Sequence, residues 1–237
     1  MSGRTSRRQP QQQHREWEDG GRGSCRHLRV VLLGDSRVGK TSILRRFVEG
    51  TFDDGVDSTI AIEEMEKEVR VDGQRYVLRV VDTAGQERFR SLRENFYRGT
   101  HICLLTFALD KLASFCNLSM WRQEFLHYAR VPPGTLFPFL VIGNKADITP
   151  KARAVSDVNV QTWCGANADV PFFETSAKQA LNVEEVFVAA VRHFSLMEAR
   201  NALTSPIDRH RRVDGETRDL TARGRATDES SAGKCCG

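Results

Sequence analysis

One eight-residue segment constrains this chain more than any other feature of its sequence. Gly34-Asp-Ser-Arg-Val-Gly-Lys-Thr41 fits the pattern G-x-x-x-x-G-K-[ST], and it follows a short apolar run that ends at Leu33. Apolar residues at helical spacing begin directly after it, over residues 41–48. A glycine-rich turn between a buried strand and a helix points its backbone N–H groups toward phosphate oxygens. The segment therefore predicts an α/β fold with a phosphate-binding loop.

Two side chains of this loop have specific predicted tasks. Lys40 is expected to neutralise the β- and γ-phosphates of a nucleotide, and the Thr41 hydroxyl is expected to bind Mg²⁺. The other predicted nucleotide contacts in and beside the loop are Gly34, Arg37, Val38, Gly39 and Ser42. The alternative is a glycine-rich turn with a solvated lysine, which the flanking strand and helix patterns disfavour.

Further apolar runs alternate with helical patterns along the chain. A β-hairpin with an Asp-Gly turn is predicted around residues 69–80. Buried strands are predicted at 102–109, 137–142 and 171–174, and amphipathic helices at 112–129 and 183–196. Strands that alternate with helices predict a mostly parallel sheet that is covered on both faces.

The two ends of the chain differ from its middle in composition. Residues 1–27 are rich in Arg, Gln, Gly and Ser, with six Arg against three acidic residues, and residues 198–237 are polar and aperiodic. We predict a disordered N-terminal extension at 1–27, one folded domain at 28–197 and a disordered tail at 198–237. The overall charge is +4, and the two ends account for it. A neutral middle argues against nucleic-acid binding, which needs a basic face.

No apolar segment predicts secretion or a membrane span. The N-terminus lacks an apolar core of a signal peptide, and no apolar run reaches the roughly 18–20 residues that cross a bilayer. We expect a cytosolic chain unless a lipid anchors it. Cys103, Cys116 and Cys164 lie in apolar or helix-like stretches without ligand spacing, and we expect them to be buried, reduced thiols.

A second polar motif follows the hairpin as Asp82-Thr-Ala-Gly-Gln86. An aspartate at the end of a strand beside the phosphate loop can hold Mg²⁺ through a water molecule. Gly85 allows the backbone to approach a γ-phosphate, and Gln86 is placed to orient an attacking water molecule. Asp82 is therefore a predicted metal residue, and Gln86 is the predicted catalytic residue.

Two more motifs, each after a predicted strand, point to a guanine base. In Asn144-Lys-Ala-Asp147, the carboxylate of Asp147 can accept hydrogen bonds from both N1–H and the 2-amino group of guanine, whereas adenine offers neither donor. In Thr175-Ser-Ala-Lys178, the N–H of Ala177 can reach the guanine O6. The predicted base contacts are Asn144, Lys145, Asp147, Ser176, Ala177 and Lys178. A single such motif is weak, but four in this order, each at a strand end, are specific.

These motifs and the segments between them resemble one family. Gln86-Glu-Arg-Phe-Arg-Ser-Leu-Arg, Phe96-Tyr-Arg-Gly, Trp121-Arg-Gln-Glu-Phe-Leu, the segment 137–145 and Pro171-Phe-Phe-Glu-Thr-Ser-Ala-Lys carry the resemblance. Over residues 28–196 the chain resembles a Ras-superfamily GTPase, and within it a Rab. It looks most similar to the late-endosomal branch, the Rab seven and Rab nine type.

The resemblance implies a P-loop GTPase fold with a six-stranded sheet and five helices, which exchanges GDP for GTP. It implies that Ser58 and Thr59 in switch I contact the nucleotide, with Thr59 also on Mg²⁺. It implies work in vesicle traffic, from late endosome to trans-Golgi, on the cytoplasmic face of endosomal and Golgi membranes with a soluble cytosolic pool. The implied partners of a monomer are an exchange factor, an activating protein, a GDP-dissociation inhibitor, Rab escort protein, geranylgeranyl transferase and effectors.

Four positions depart from the family pattern. The family usually has Gly at the positions of Arg37 and Ala61, Phe at that of Glu64 and Trp at that of Val81. In Rabs those two aromatics and one in switch II, here Phe96, form a cluster that effectors read. We expect altered partner choice, with a partner's basic group opposite Glu64; the alternative is that Glu64 points to solvent.

Two other functions compete with a hydrolysing switch. A nucleotide-bound scaffold that hardly cycles is favoured by Arg37 and the altered switches, while Thr59 and Gln86 argue against it. A P-loop kinase or ATPase is disfavoured by Asn144-Lys-Ala-Asp147. We identify no arginine finger in the chain, so we expect slow hydrolysis that an activating protein accelerates.

The chain ends in Lys234-Cys-Cys-Gly237. A C-a-a-X box needs its cysteine fourth from the end, where this chain has Lys234. Paired terminal cysteines instead resemble the substrate of the Rab geranylgeranyl transferase. One lipid gives marginal membrane binding and two give stable anchoring, so Cys235 and Cys236 are the predicted lipidation sites.

Overall fold

A computed structural model of the chain describes residues 25–55, 63–83 and 96–199. Nearly all of both predicted tails lies outside these ranges. The strands of the described part are β1 (Arg26–Leu33), β2 (Glu63–Val71), β3 (Gln74–Asp82), β4 (Ile102–Ala108), β5 (Phe139–Asn144) and β6 (Phe172–Thr175). Its helices are α1 (Lys40–Glu49), α2 (Leu112–Cys116), α3 (Leu118–Tyr128), α4 (Asp157–Ala166) and α5 (Val183–Ala199), with a 3₁₀ turn at Pro150–Ala152.

The strands form one sheet in the order β2-β3-β1-β4-β5-β6. β2 runs antiparallel to β3, and every other neighbouring pair is parallel. Asp72 and Gly73 between β2 and β3 have φ values of 51° and 81°, as the favoured two-residue hairpin turn requires. The predicted six-stranded, mostly parallel sheet and its hairpin are confirmed.

Apolar side chains cover both faces of this sheet. On one face α1 and α5 pack together, and the rings of Phe47 and Phe187 stack with their centroids 3.7 Å apart. On the other face α2, α3 and α4 bury Phe115, Phe125 and Val160. All residues of β4 and β5 are buried. These two strands are therefore fixed from both sides, which holds the loops at their ends in place.

The predicted polar motifs all follow the carboxyl ends of strands at one edge of the sheet. In the register, Leu32 of β1 lies beside Asp82 of β3, and Asn144 of β5 lies beside Thr175 of β6. Parallel strands end at the same edge, so their loops meet there. The sheet thus brings together motifs that lie more than a hundred residues apart in the sequence.

The helix predicted at residues 112–129 is interrupted at Asn117, so that α2 and α3 are separate. Asn117 has a ψ of −6°, far from the α-helical value of about −42°. Its side-chain amide donates a hydrogen bond to Asp35 in the phosphate loop instead of pointing into solvent. A long-range hydrogen bond therefore marks the break that the apolar pattern did not reveal.

The buried-thiol prediction is confirmed for two cysteines and wrong for the third. Cys103 and Cys164 are buried, whereas Cys116, at the end of α2, is exposed. Burial raises the pKa of the Cys103 thiol well above its usual range and that of Cys164 to about 11. These two thiols are therefore protonated at neutral pH.

Candidate functional site

The phosphate loop, residues 34–39, connects the end of β1 to the start of α1. Gly34 has φ 144° and Gly39 has φ 94°, which side chains rarely adopt. A Cβ atom on Gly34 would lie 2.0 Å from the carbonyl oxygen of Thr106, and one on Gly39 would lie 2.2 Å from Nδ2 of Asn144. Both glycines of the motif are therefore required by their neighbours as well as by the turn.

Lys40 and Thr41 begin α1 and are almost completely buried. The Lys40 ammonium donates hydrogen bonds to the carbonyl oxygens of Gly34 and Asp35, both at 2.8 Å. It is thereby held across the mouth of the loop, where it was predicted to meet phosphates. Ser42 follows on the same turn and is partly buried.

The Thr41 hydroxyl donates a 2.5 Å hydrogen bond to Oδ2 of Asp82. The two predicted metal residues of the described part are thus in contact, although 41 positions separate them. Within the described ranges no group of three or more His, Cys, Asp or Glu side chains could hold a metal ion. A hydroxyl beside one carboxylate suits Mg²⁺, which keeps several waters and also binds phosphates.

Asn144 joins the phosphate loop to the predicted base-binding motifs. Its Nδ2 donates to the carbonyl oxygen of Val38 at 2.9 Å. Its Oδ1 accepts from the hydroxyl of Thr175 at 3.2 Å and from the N–H of Ala177 at 3.3 Å. The side chain is only 2% exposed. Asn144 therefore links the phosphate loop to the segment 175–177. The N–H of Ala177, which was predicted to reach guanine O6, contacts Asn144 in this structure.

Asp147 and the base loop, residues 176–178, face each other. The Ser176 hydroxyl donates to Oδ1 of Asp147 at 2.6 Å, which orients the carboxylate. Lys145 has a positive φ of 71°, and its ammonium lies 3.0 Å from Oδ2 of Asp110. The predicted base contacts are thus gathered in one place, each fixed by a neighbour.

Asp35 carries a contact that sequence reasoning missed. Its carboxylate accepts hydrogen bonds from Nδ2 of Asn117 and Nε1 of Trp121, both at 2.9 Å. The phosphate loop is thereby tied to the junction of α2 and α3. The only signal in the sequence is a pair of hydrogen-bond donors four residues apart in a helical pattern, which names no partner.

Arg37 lies in the phosphate loop with an exposed side chain and a φ of 63°. This is a left-handed backbone conformation that costs a non-glycine residue about 1–2 kcal/mol. The family pattern has Gly here, so the turn itself is retained and only its side chain is new.

Four predicted site positions and the two predicted lipidation sites lie outside the described residues. They are Ser58, Thr59, Gly85 and Gln86, with Cys235 and Cys236. Their roles stay predictions.

On the surface that we expected to select partners, basic side chains of the same chain lie beside Glu64. Glu64 lies 3.0 Å from Nε of Arg79 and 3.7 Å from Arg29, so the chain itself supplies the basic groups that we expected a partner to supply. Val81 is fully buried, and Phe96 packs partly buried against the same apolar cluster.

The chain is similar to known proteins over most of its length. The model of the Ras family matches residues 29–196. The human Ras-related protein Rab-9A is 46% identical over 193 residues, which cover 80% of this chain and 95% of that protein. Human Rab-9B is 47% identical, with coverage of 72% and 84%. Rab7 of Pisum sativum is 45% identical, with coverage of 68% and 78%.

Proposed function

Because the chain belongs to the Ras family and, within it, to the late-endosomal branch of the Rab GTPases, we propose that it is a GTP/GDP switch for vesicle traffic from late endosomes to the trans-Golgi. As a member of that family it is a GTPase. The proposed GDP and GTP forms differ in switch I and switch II, which partners read.

The position of Asn144 is the observation that supports guanine-nucleotide binding most directly. It contacts Val38 in the phosphate loop and Ala177 in the base loop through one amide. A nucleotide has its phosphates and its base at opposite ends, and the two halves of the site lie on either side of this amide. The spacing between the halves is therefore set by a buried residue.

The residues of the site divide the proposed work between them. Lys40 offsets the charge of the β- and γ-phosphates, together with N–H groups of the loop and the start of α1. Asp147, oriented by Ser176, accepts the two donors of the guanine edge. An adenine base would leave this carboxylate without those donors, and such mismatches discriminate by about 10⁴–10⁵.

Thr41 and Asp82 would hold Mg²⁺ when the nucleotide is bound. Their contact is buried, and one hydroxyl with one carboxylate leaves room for phosphate oxygens and water. A magnesium ion held by Thr41 and Asp82 would supply positive charge that offsets the charge of the phosphates. We propose that Thr59 joins this set from switch I.

For hydrolysis we propose that Gln86 orients the attacking water and that an activating protein supplies the missing arginine. The Gln86→Leu variant should bind GTP normally and hydrolyse it about 10²-fold more slowly with an activating protein present, as expected for loss of one transition-state contact. Single-turnover hydrolysis measures this. Equal rates in the variant and the wild type would remove Gln86 from the catalytic role.

One observation favours the alternative of a slowly cycling, GTP-bound scaffold. Arg37 adds a charged, exposed side chain at the phosphate loop and keeps a left-handed backbone that glycine would adopt more easily. Under this alternative the Arg37→Gly variant releases GDP and hydrolyses GTP faster than the wild type. Under the leading proposal the two proteins cycle at similar rates.

Both nucleotide proposals can be tested on one purified sample. GDP release is followed with a fluorescent GDP analogue, GTP hydrolysis by single turnover, and nucleotide choice by competition with ATP. A cycling GTPase prefers GTP over ATP by orders of magnitude and hydrolyses it slowly. Comparable competition by ATP would reject guanine selectivity, and tight GTP binding without turnover would favour the scaffold.

We propose attachment to endosomal and Golgi membranes through lipids on Cys235 and Cys236. Among the described helices, none is long and apolar enough to cross a bilayer. Escort protein and geranylgeranyl transferase would add the lipids, and a GDP-dissociation inhibitor would maintain the cytosolic pool. Changing both cysteines to serine should move the protein to the cytosol; mass spectrometry that finds no isoprenoid on the wild type would reject the anchor.

We also propose that effectors of ordinary late-endosomal Rabs bind this chain weakly. Glu64 and Val81 occupy the positions where those Rabs have Phe and Trp, so two of the three aromatic groups are absent. Glu64 also lies 3.0 Å from Nε of Arg79, and Val81 is buried. The double change Glu64→Phe and Val81→Trp should raise effector affinity in the GTP form. If the wild type already binds equally tightly, the departures are neutral.

A further inference from the structure

Arg46, in the last turn of α1, joins segments that are far apart in the sequence. Its Nε donates a 2.8 Å hydrogen bond to the carbonyl oxygen of Ala177, and its Nη2 donates to that of Lys178 at 3.3 Å. Its Nη1 donates to the carbonyl oxygen of Gly50 at 2.6 Å. The guanidinium carbon lies 5.8 Å from the ring centroid of Phe52. One side chain therefore connects the base loop to the segment that follows α1.

A second link runs beside the first. The ammonium of Lys178 lies 3.2 Å from Oδ2 of Asp54, and both side chains are more than half exposed. Exposed ion pairs of this kind contribute little, because solvent screens them. Arg46 is partly buried and donates to main-chain oxygens, so it is the stronger of the two links.

The chemistry of arginine explains why one side chain can make this connection. Its guanidinium is planar and permanently charged, and it presents five donors in a fixed fork. Here three of its nitrogens each meet a different carbonyl oxygen. Lysine retains the charge but cannot reproduce the fork, and methionine retains only the apolar stem.

We propose that Arg46 is a positioning residue that slows nucleotide release by holding the base loop against the segment leading to switch I. The inference rests on the proposed binding of guanine nucleotides by the base loop. Arg46 acts through two residues that it contacts. One is Ala177, whose N–H was predicted to contact guanine O6, and the other is Phe52, in the segment that leads to Thr59. Opening either segment therefore requires that this connection breaks.

The test compares GDP release from the full-length wild type, Arg46→Met and Arg46→Lys, each loaded with a fluorescent GDP analogue in Mg²⁺. Hydrogen bonds to charged groups change an equilibrium by about ten- to hundredfold when lost. We expect release from Arg46→Met to be at least about tenfold faster and that from Arg46→Lys to be intermediate. Amide hydrogen exchange should rise together in residues 50–55 and 176–178, which a purely local packing defect would not produce.

Arg45→Gln is the matched control. Arg45 is the preceding residue of the same helix and pairs with Glu63 at 3.6 Å, so its loss should leave GDP release within about twofold of wild type, as for an exposed pair. Equal release from wild type and both Arg46 variants, or an equal effect of Arg45→Gln, overturns the inference but not the proposed function. A wild type that binds no GDP overturns both. If Arg46→Met fails to fold, Arg46→Lys decides.

Discussion

The two halves of the candidate site are built in different ways. The phosphate half occupies consecutive residues, 34–41, and its shape comes from backbone torsions at Gly34 and Gly39 and from the start of a helix. The base half combines Asn144, Asp147 and the base loop, which come from different strand ends and meet through side-chain hydrogen bonds. The phosphate half is one continuous loop that is held by its backbone torsions and close packing. The base half is assembled from separate segments that are held by side-chain hydrogen bonds.

This difference predicts how each half responds to change. A tight turn with no space for a Cβ is strongly destabilised when one is added, because close-packed neighbours can move aside only at a large cost in free energy. An assembly of hydrogen bonds weakens by steps, since each bond contributes about 0.5–3 kcal/mol, according to charge. We therefore expect a change in the phosphate half to abolish nucleotide binding. A change in the base half should weaken binding in proportion to the hydrogen bonds that are lost.

The largest effect is expected from Gly34→Ala. The added Cβ would lie 2.0 Å from the Thr106 carbonyl oxygen at a φ of 144°, so the loop or β4 must shift, at a cost of about 4 kcal/mol or more. Gly134→Ala is the control, because its φ of 78° is also positive but nothing lies within 4 Å. Urea denaturation and bound-nucleotide content measure both. Equal destabilisation by the two changes would refute the steric account.

Asp147→Asn should change the choice of base without loss of the fold. The Oδ1 that accepts from Ser176 can be kept by the introduced amide, whose NH₂ then faces the base and suits the oxygen of xanthine. The ratio of GTP to XTP affinity should fall by about 10⁴-fold. Asp110→Asn, which changes a carboxylate beside Lys145, is the control. Unchanged preference in competition binding would mean that Asp147 does not face the base.

Asn144→Ala tests the connection between the halves. It removes a buried donor to Val38 and an acceptor for Thr175 and Ala177, so we expect about 3 kcal/mol weaker GDP binding, roughly a hundredfold. Competition binding against a fluorescent nucleotide measures the change in GDP affinity. Were the loss no larger than that of a single exposed hydrogen bond, the halves would be positioned independently of Asn144.

The smallest effect is expected from Asn117→Ala, at the periphery of the phosphate half. It removes one of two side-chain donors to Asp35, which should cost about 1 kcal/mol. GDP release should accelerate by about fivefold, and the fluorescence of Trp121 should change because its partner Asp35 relaxes. Gln123→Ala, an exposed position on α3, should change neither. Release at the wild-type rate would show that Trp121 alone holds Asp35.

Much of the fold could be predicted because it depends on local signals. The hairpin followed from Asp72-Gly73, and the buried strands followed from apolar runs, with ends that differ by one or two residues from those observed. The break at Asn117 could not be predicted, since the apolar stripe continues through Phe115, Leu118 and Phe125. The break coincides with an amide that bonds to Asp35, 82 positions away.

The sequence by itself determined the phosphate loop, the guanine-type motifs and the family, because each is written in consecutive residues whose geometry is local. Only the tertiary structure decided that Arg46 reaches Ala177 across 131 positions and that Glu64 is paired by Arg79 within the same sheet. Arg45 and Arg46 are indistinguishable in the sequence, yet one lies beside Glu63 and the other joins two loops. A hydrogen bond or ion pair between distant segments produces no regular spacing or periodicity in the sequence. The partner of such a side chain is therefore decided only when the chain folds.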